Sequence, residues 1–213
     1  MKERTLKELE TVLENHPGLE VCRKDIEAAF GLLLSTVRNG GLIMTCGNGG
    51  SASDSGHIVG ELMKGFKDRR PLTAGQRDAL CKAFPDEGPA LADHLQQAIP
   101  AIALTDQAAI ATAFANDVDP DLVFAQQVLG YGRPGDTLIG LSTSGNSKNV
   151  VNACKVAKAF GVKTIALTGE GGGALAGLCD VTVRVPACET YRVQEYHLPV
   201  YHALCAMLEA EMF

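Results

Sequence analysis

The stretch that most constrains how this chain can fold is Gly41 to Leu62, GLIMTCGNGGSASDSGHIVGEL. Its first residues are an apolar run with the length and aliphatic content of a buried strand. The run breaks at GNGGS and resumes as a helix-like segment carrying His57 and Glu61. Glycines at 47, 49 and 50 permit a tight turn that exposes successive backbone N–H groups. Ser51 stands where a helix N-cap is expected, so the stretch predicts an anion site, with phosphate the obvious anion. His57 and Glu61, four residues apart, share a helix face. That spacing suits a shared metal or an acid/base pair, and equally an ordinary solvated pair.

The same arrangement recurs. DTLIGLS (136 to 142) reads as a buried strand, and Ser142, Thr143, Ser144, Gly145, Asn146 and Ser147 lead from it into the helical pattern NVVNACKVAKAFG. Hydroxyls beside helix N–H groups bind a phosphate without a cation, although Ser and Thr are also common helix starters. Two such turns after buried strands favour a ligand. IPAIALT (99 to 105), KTIALTG (163 to 169) and VTVRVP (181 to 186) add strands, with helices in DQAAIATAFAND and PDLVFAQQVLGYG. About five strands alternating with helices predict a three-layer α/β fold: a doubly wound parallel sheet with ligands at the carboxyl ends of its strands. The glycine run EGGGALAGL reads as a tight connection.

Residues 2 to 15 and 19 to 39 carry helical periodicity broken at His16-Pro17-Gly18, giving a hairpin that packs outside the sheet or against a second subunit. The segment 73–98, punctuated by Pro and Gly, is an excursion ending in a short helix. The last segment, ETYRVQEYHLPVYHALCAMLEAEMF, is helical and carries Gln194, His197 and His202, with Pro199 expected to start or bend a helical portion. A His beside such an apolar run is more often structural than a ligand.

With 213 residues the chain fits a single domain, 1–213, bearing an N-terminal helical hairpin (1–39) and an inserted segment (73–98). The net charge of −6 is spread, without a basic stripe or a tryptophan, which argues against nucleic acid or an anionic membrane as partner and for a small molecule. MKERTLKELETVLENH reads as a charged amphipathic helix rather than a leader, and no apolar run approaches the ~20 residues of a bilayer span. A cytoplasmic protein is expected. The seven cysteines lack CxxC spacing and read as reduced small hydrophobes, none assigned to zinc or catalysis.

Taken together, CGNGGSASDSGHIVGEL, RRPL with IPAIALTD, FANDVDPDLVF, LIGLSTSGNSKNVVNA, IALTGEGGG and RVQEYHLPVYHAL resemble the SIS (sugar isomerase) family of phosphosugar-binding domains over nearly the whole chain. The closest likeness is to its members that interconvert sedoheptulose 7-phosphate and D-glycero-D-manno-heptose 7-phosphate. That resemblance implies one metal per site, usually Zn2+, held by His57, Glu61, Gln194 and His202, with Glu61 and His202 as the acid/base residues. It also implies substrate contacts from Asn48, Gly49, Gly50, Ser51, Asp117, Ser142, Thr143, Ser144, Ser147 and Gln194. Homotetramers with sites at subunit boundaries are implied as well.

Gln194 and His202 would lie ~12 Å apart along a straight helix and ~80° around it. Either Pro199 bends the segment or the ligands meet across an interface. Two departures from the family pattern stand out: the segment from about Thr73 to Ala98, and Tyr191 where an Asp is often found. The alternatives are an isomerase of another sugar phosphate, or a non-catalytic SIS protein that binds a replication initiator or another protein. An intact His57/Glu61/Gln194/His202 set favours the enzyme.

Overall fold

The computed structural model describes all 213 residues. Five strands, β1 (Ile43–Cys46), β2 (Ala101–Ala103), β3 (Thr137–Leu141), β4 (Lys163–Thr168) and β5 (Val181–Arg184), form one sheet in the order β2-β1-β3-β4-β5. Every pair is parallel, with Met44 opposite Ile102 and Leu138, and Ala166 opposite Thr182. Parallel strands covered on both faces have no solvent side, so β1 and β3 read as unbroken apolar runs and are buried throughout. The central strands are as the sequence predicts, though each is a residue or more shorter at its ends.

The period of two splits the sheet's side chains between two cores. Ile43, Ile139, Leu141, Ile165, Leu167 and Val183 face α2 (Arg23–Arg38), α3 (Gly50–Met63) and the last helix, α10 (Thr190–Met212), with α1 (Glu3–Asn15) packed behind them on α10. Met44, Cys46, Leu138 and Ala166 face the opposite layer, built from α6 (Ala108–Asp117), α7 (Val123–Tyr131) and α8 (Lys148–Ala159), with the short α9 (Gly173–Ala176). This is the expected three-layer arrangement. Of the N-terminal hairpin, α1 packs on this chain's own α10, off the sheet as expected, whereas α2 packs on the sheet itself, chiefly beside β5, and on α10; a 3-10 turn at Pro17–Cys22 joins the two helices.

Two elements differ from expectation. α10 runs unbroken through Pro199, giving up one internal hydrogen bond there, so the proline starts no new helix. Segment 73–98 holds two helices, α4 (Ala74–Ala83), closed at Thr73 by a capping box with Gln76, and α5 (Gly88–His94). No residue of α4 is buried. The two lean on each other, and the base of the excursion is closed by a bridge between Pro71 and Gln96 and by Gln97 N–H donating to Arg70 O (2.8 Å).

The strand order places the topological switch between β1 and β3, whose carboxyl ends lead into the two turns singled out above. No helix is long and apolar enough to cross a membrane.

Candidate active site

The turns after β1 and β3 open onto a shared cavity of about 380 Å³. Its lining includes Asn48, Gly49, Gly50 and Ser51 from the first turn and Ser142, Thr143 and Ser147 from the second, with Gln194 from α10. Thus eight of the ten expected substrate residues line one pocket. Ser144 turns away, its hydroxyl accepting from Asn146 N–H (3.2 Å), and Asp117 is exposed at the end of α6, outside the lining.

Local chemistry explains the shape. Gly50 begins α3 against the Gln194 amide, where an added Cβ would lie 2.6 Å from Nε2, so any larger residue would push the Gln194 side chain aside. Ser51 is not the cap expected from sequence. It is the second residue of α3, buried, its carbonyl accepting from Ser55 Oγ (2.9 Å), and Gly49 precedes the helix instead. In the second turn the Ser142 and Ser147 hydroxyls are 2.9 Å apart, and Ser147 precedes α8. Free N–H groups at the starts of α3 and α8, with these hydroxyls, make a cradle for an anion.

Sequence reasoning missed how the cradle is braced. Asn48 and Asn149 exchange two amide hydrogen bonds of 2.9 Å, tying one turn to the other. The run Gly169 to Gly173, read as a mere connection, supports the serine turn. Gly169 N–H donates to Thr143 O (2.9 Å), Leu175 N–H to Gly145 O (3.1 Å) and Ala174 N–H to the Asn146 side chain (2.9 Å). Gly145 is left-handed (φ 68°), and a Cβ there would collide with Gly172 O. The glycines of SGN (144–146) and GGG (171–173) were the available signal.

Two turns along α3 from Gly50 stands a second group. His57 Nε2 is 3.1 Å from Glu61 Oε1, and the His57 and His202 ring centroids are 5.0 Å apart. His57, Glu61 and His202 therefore meet within one chain, whereas Gln194 stays at the cradle end. His57 Nδ1 is 2.9 Å from Tyr201 Oη, and the Tyr201 hydroxyl donates to Asp54 Oδ1 (3.2 Å). Neither Tyr201 nor Asp54 was singled out from sequence, although Asp54 lies three residues before His57 on the same helix and Tyr201 adjoins His202.

Burial, the largest influence on Glu61, pushes its carboxyl upward, but the Lys64 ammonium (2.9 Å) and the His57 ring outweigh it and hold the carboxyl below the ordinary value. Burial pushes His202 down, the neighbouring His57 adds to that, and Glu61 opposes it. At neutral pH the pair is a carboxylate beside a neutral imidazole.

The donors suit a divalent metal. His57 Nε2 faces an oxygen of Glu61, and its Nδ1 faces the Tyr201 hydroxyl, which itself donates to Asp54. His202 Nε2 is buried with no partner. Two imidazoles with a carboxylate are a zinc-type set of donors. They are neighbours rather than a preassembled coordination sphere.

Residues 81–169 match the family described as the SIS domain. The phosphoheptose isomerase of Akkermansia muciniphila is 38% identical over 202 residues, covering 95% of this chain and 93% of that protein. The phosphoheptose isomerase of Rhodospirillum rubrum is 40% identical over 189 residues, covering 88% and 86%. Among solved structures, the phosphoheptose isomerase of Neisseria gonorrhoeae superimposes with a TM-score of 0.71 at 34% identity, over 97% of this chain and 91% of that one. That of Francisella tularensis gives 0.72 at 28% identity, over 98% of both.

Proposed function

We proceed from the membership of this chain in the phosphoheptose isomerase family of SIS-domain proteins, and we propose how its own side chains carry out the family's reaction. The protein is an aldose–ketose isomerase acting on sedoheptulose 7-phosphate to give D-glycero-D-manno-heptose 7-phosphate. The observation that carries the residue assignment is that one helix bears both ends of the site. Gly50 and Ser51 of α3 line the anion cradle, and His57 and Glu61 of α3 stand beside His202.

Seven residues at 1.5 Å each separate Gly50 from His57 by ~10.5 Å. An open seven-carbon chain ending in a phosphate ester spans about 10 Å at roughly 1.25 Å per bond along its axis. With the phosphate in the cradle, the carbonyl end of a heptose reaches the Glu61 carboxylate.

Isomerisation removes a proton from carbon 1 of the ketose and returns one to carbon 2, through an enediolate. Glu61, held ionised, is the base. His202, held neutral with Nε2 unpartnered, carries the proton between the two hydroxyl oxygens. Asn48, Ser51, Ser142, Thr143 and Ser147 anchor the phosphate and convert its binding into alignment of carbon 1 with Glu61. His57, Glu61 and His202 would hold a divalent metal, proposed as Zn2+, which when bound would polarise the carbonyl and stabilise negative charge.

Because α10 is unbroken between Gln194 and His202, the Gln194 that joins this set comes from a second copy in a proposed cytoplasmic homotetramer. The single domain spanning 1–213, with 73–98 as an insertion, belongs to the same proposal, as do contacts from Ser144 and Asp117. Mixing the protein with sedoheptulose 7-phosphate and zinc and following the sugar carbons by NMR tests it. An aldoheptose phosphate forms with the parent chain and about 10²–10⁴-fold more slowly with Glu61→Gln. No turnover, or equal rates, refutes the assignment.

A further inference from the structure

Arg70 and Glu209 form an ion pair whose side chains are 0% and 1% exposed, Arg70 Nε donating to Glu209 Oε1 over 2.7 Å. Desolvation offsets most of the attraction in such a pair, so stability alone is a poor reason for it. Its other hydrogen bonds converge on the chemical end of α3 and the chain that leaves it. Arg70 Nη1 donates to Leu62 O (2.8 Å) and Nη2 to Glu61 O (3.3 Å), capping carbonyls that the end of a helix leaves open and placing a cation at the negative end of its dipole.

Glu209 accepts from the N–H groups of Phe66 (2.8 Å), Lys67 (2.8 Å) and Asp68 (3.1 Å), fixing the chain as it leaves α3. The Phe66 ring held there lies against His202, centroids 5.3 Å apart. Phe213 covers the guanidinium at 4.8 Å.

We propose that Arg70 and Glu209 are positioning residues for the isomerisation: one buried pair sets Glu61 through its backbone carbonyl and His202 through the Phe66 ring. This rests on the reading of Glu61 and His202 as the acid/base residues. The cradle lies at the other end of α3, so the pair governs the chemical step and not the hold on the phosphate. A base misplaced by a fraction of an ångström loses rate while substrate still binds.

The test is Arg70→Lys, which keeps the charge facing Glu209 but cannot reach both carbonyls as well. It is read by steady-state kinetics and by the imidazole NMR signals of His202 and His197. The expected result is a kcat lowered about tenfold or more with KM within about twofold, and His202 signals displaced while those of buried His197 stay. A kcat within about twofold of the parent overturns the proposal, as does a fall in kcat with a comparable rise in KM, which would show that the hold on the substrate is lost as well.

The His202 signals need no turnover. If the parent chain fails to convert the heptose phosphate, the proposed reaction falls, and an undisplaced His202 ring in Arg70→Lys still overturns the positioning role while a displaced one supports it. Should Arg70→Lys not fold, Phe66→Leu decides. It leaves the ion pair and its backbone bonds in place, and it supports the proposal if kcat falls with His202 displaced and overturns it if both are unchanged.

Discussion

Asn149 has the least obvious role of any side chain at the site. It touches the cradle only through Asn48, yet their paired amides are the direct link between the two anion turns. Two neutral hydrogen bonds at about 1 kcal/mol each bear on phosphate binding. Asn149→Ala is expected to raise KM about tenfold with a smaller change in kcat, measured by steady-state kinetics. An unchanged KM would leave the clamp without function.

His197 makes a different prediction, about stability. It is wholly buried with neither ring nitrogen paired, and burial pushes it down to about 4, the Thr168 backbone offsetting this only in part. Below the ordinary value of 6.5 the unfolded chain takes up a proton that the folded chain refuses until about 4. Stability therefore drains away as pH falls through that window, by at most about 1.4 kcal/mol per pH unit, and is untouched above it. Urea midpoints for the parent and His197→Gln at pH 7.5 and 4.5 check this. The parent should lose more on acidification, and parallel losses contradict it.

Among the elements, β1, β3 and β4 were legible because burial on both faces demands unbroken apolar runs, and the two helix-opening turns because glycine and serine cluster where those strands end. β2, only three residues long at the sheet edge, blurred into its flanks. What the sequence hid were contacts between distant segments: the Gly169 to Gly173 buttress, the Tyr201 and Asp54 bridge to His57, and the Arg70–Glu209 pair, whose members lie 139 positions apart. Local rules carry no signal for these. Pro199 starts no new helix for a related reason: a helix buried along most of its length tolerates a lost hydrogen bond that an isolated one would not.

The α4–α5 excursion has its own expectation. α4 contributes nothing to either core, so replacing residues 74–95 by a short Gly/Ser link should shift the melting temperature by no more than about 4 °C, read by calorimetry. A larger fall would mean that the excursion supports the body.

At the scale of the molecule, one chain brings His57, Glu61 and His202 together and leaves Gln194 two turns away at the cradle. The proposed homotetramer supplies the missing neighbour. Mixing two inactive variants, Glu61→Gln and Gln194→Ala, after joint refolding should restore part of the activity if sites are shared, and restore none if each chain works alone.

In the proposed mechanism α3 delivers carbon 1 of a cradled heptose phosphate to the Glu61 carboxylate. Proton exchange in D2O measures this directly, by NMR of recovered sedoheptulose 7-phosphate and its product. Deuterium is expected at carbon 1 of the ketose or carbon 2 of the aldose with the parent chain, and none with Glu61→Gln under conditions where the phosphate still binds. Exchange at the parent rate in Glu61→Gln would contradict it.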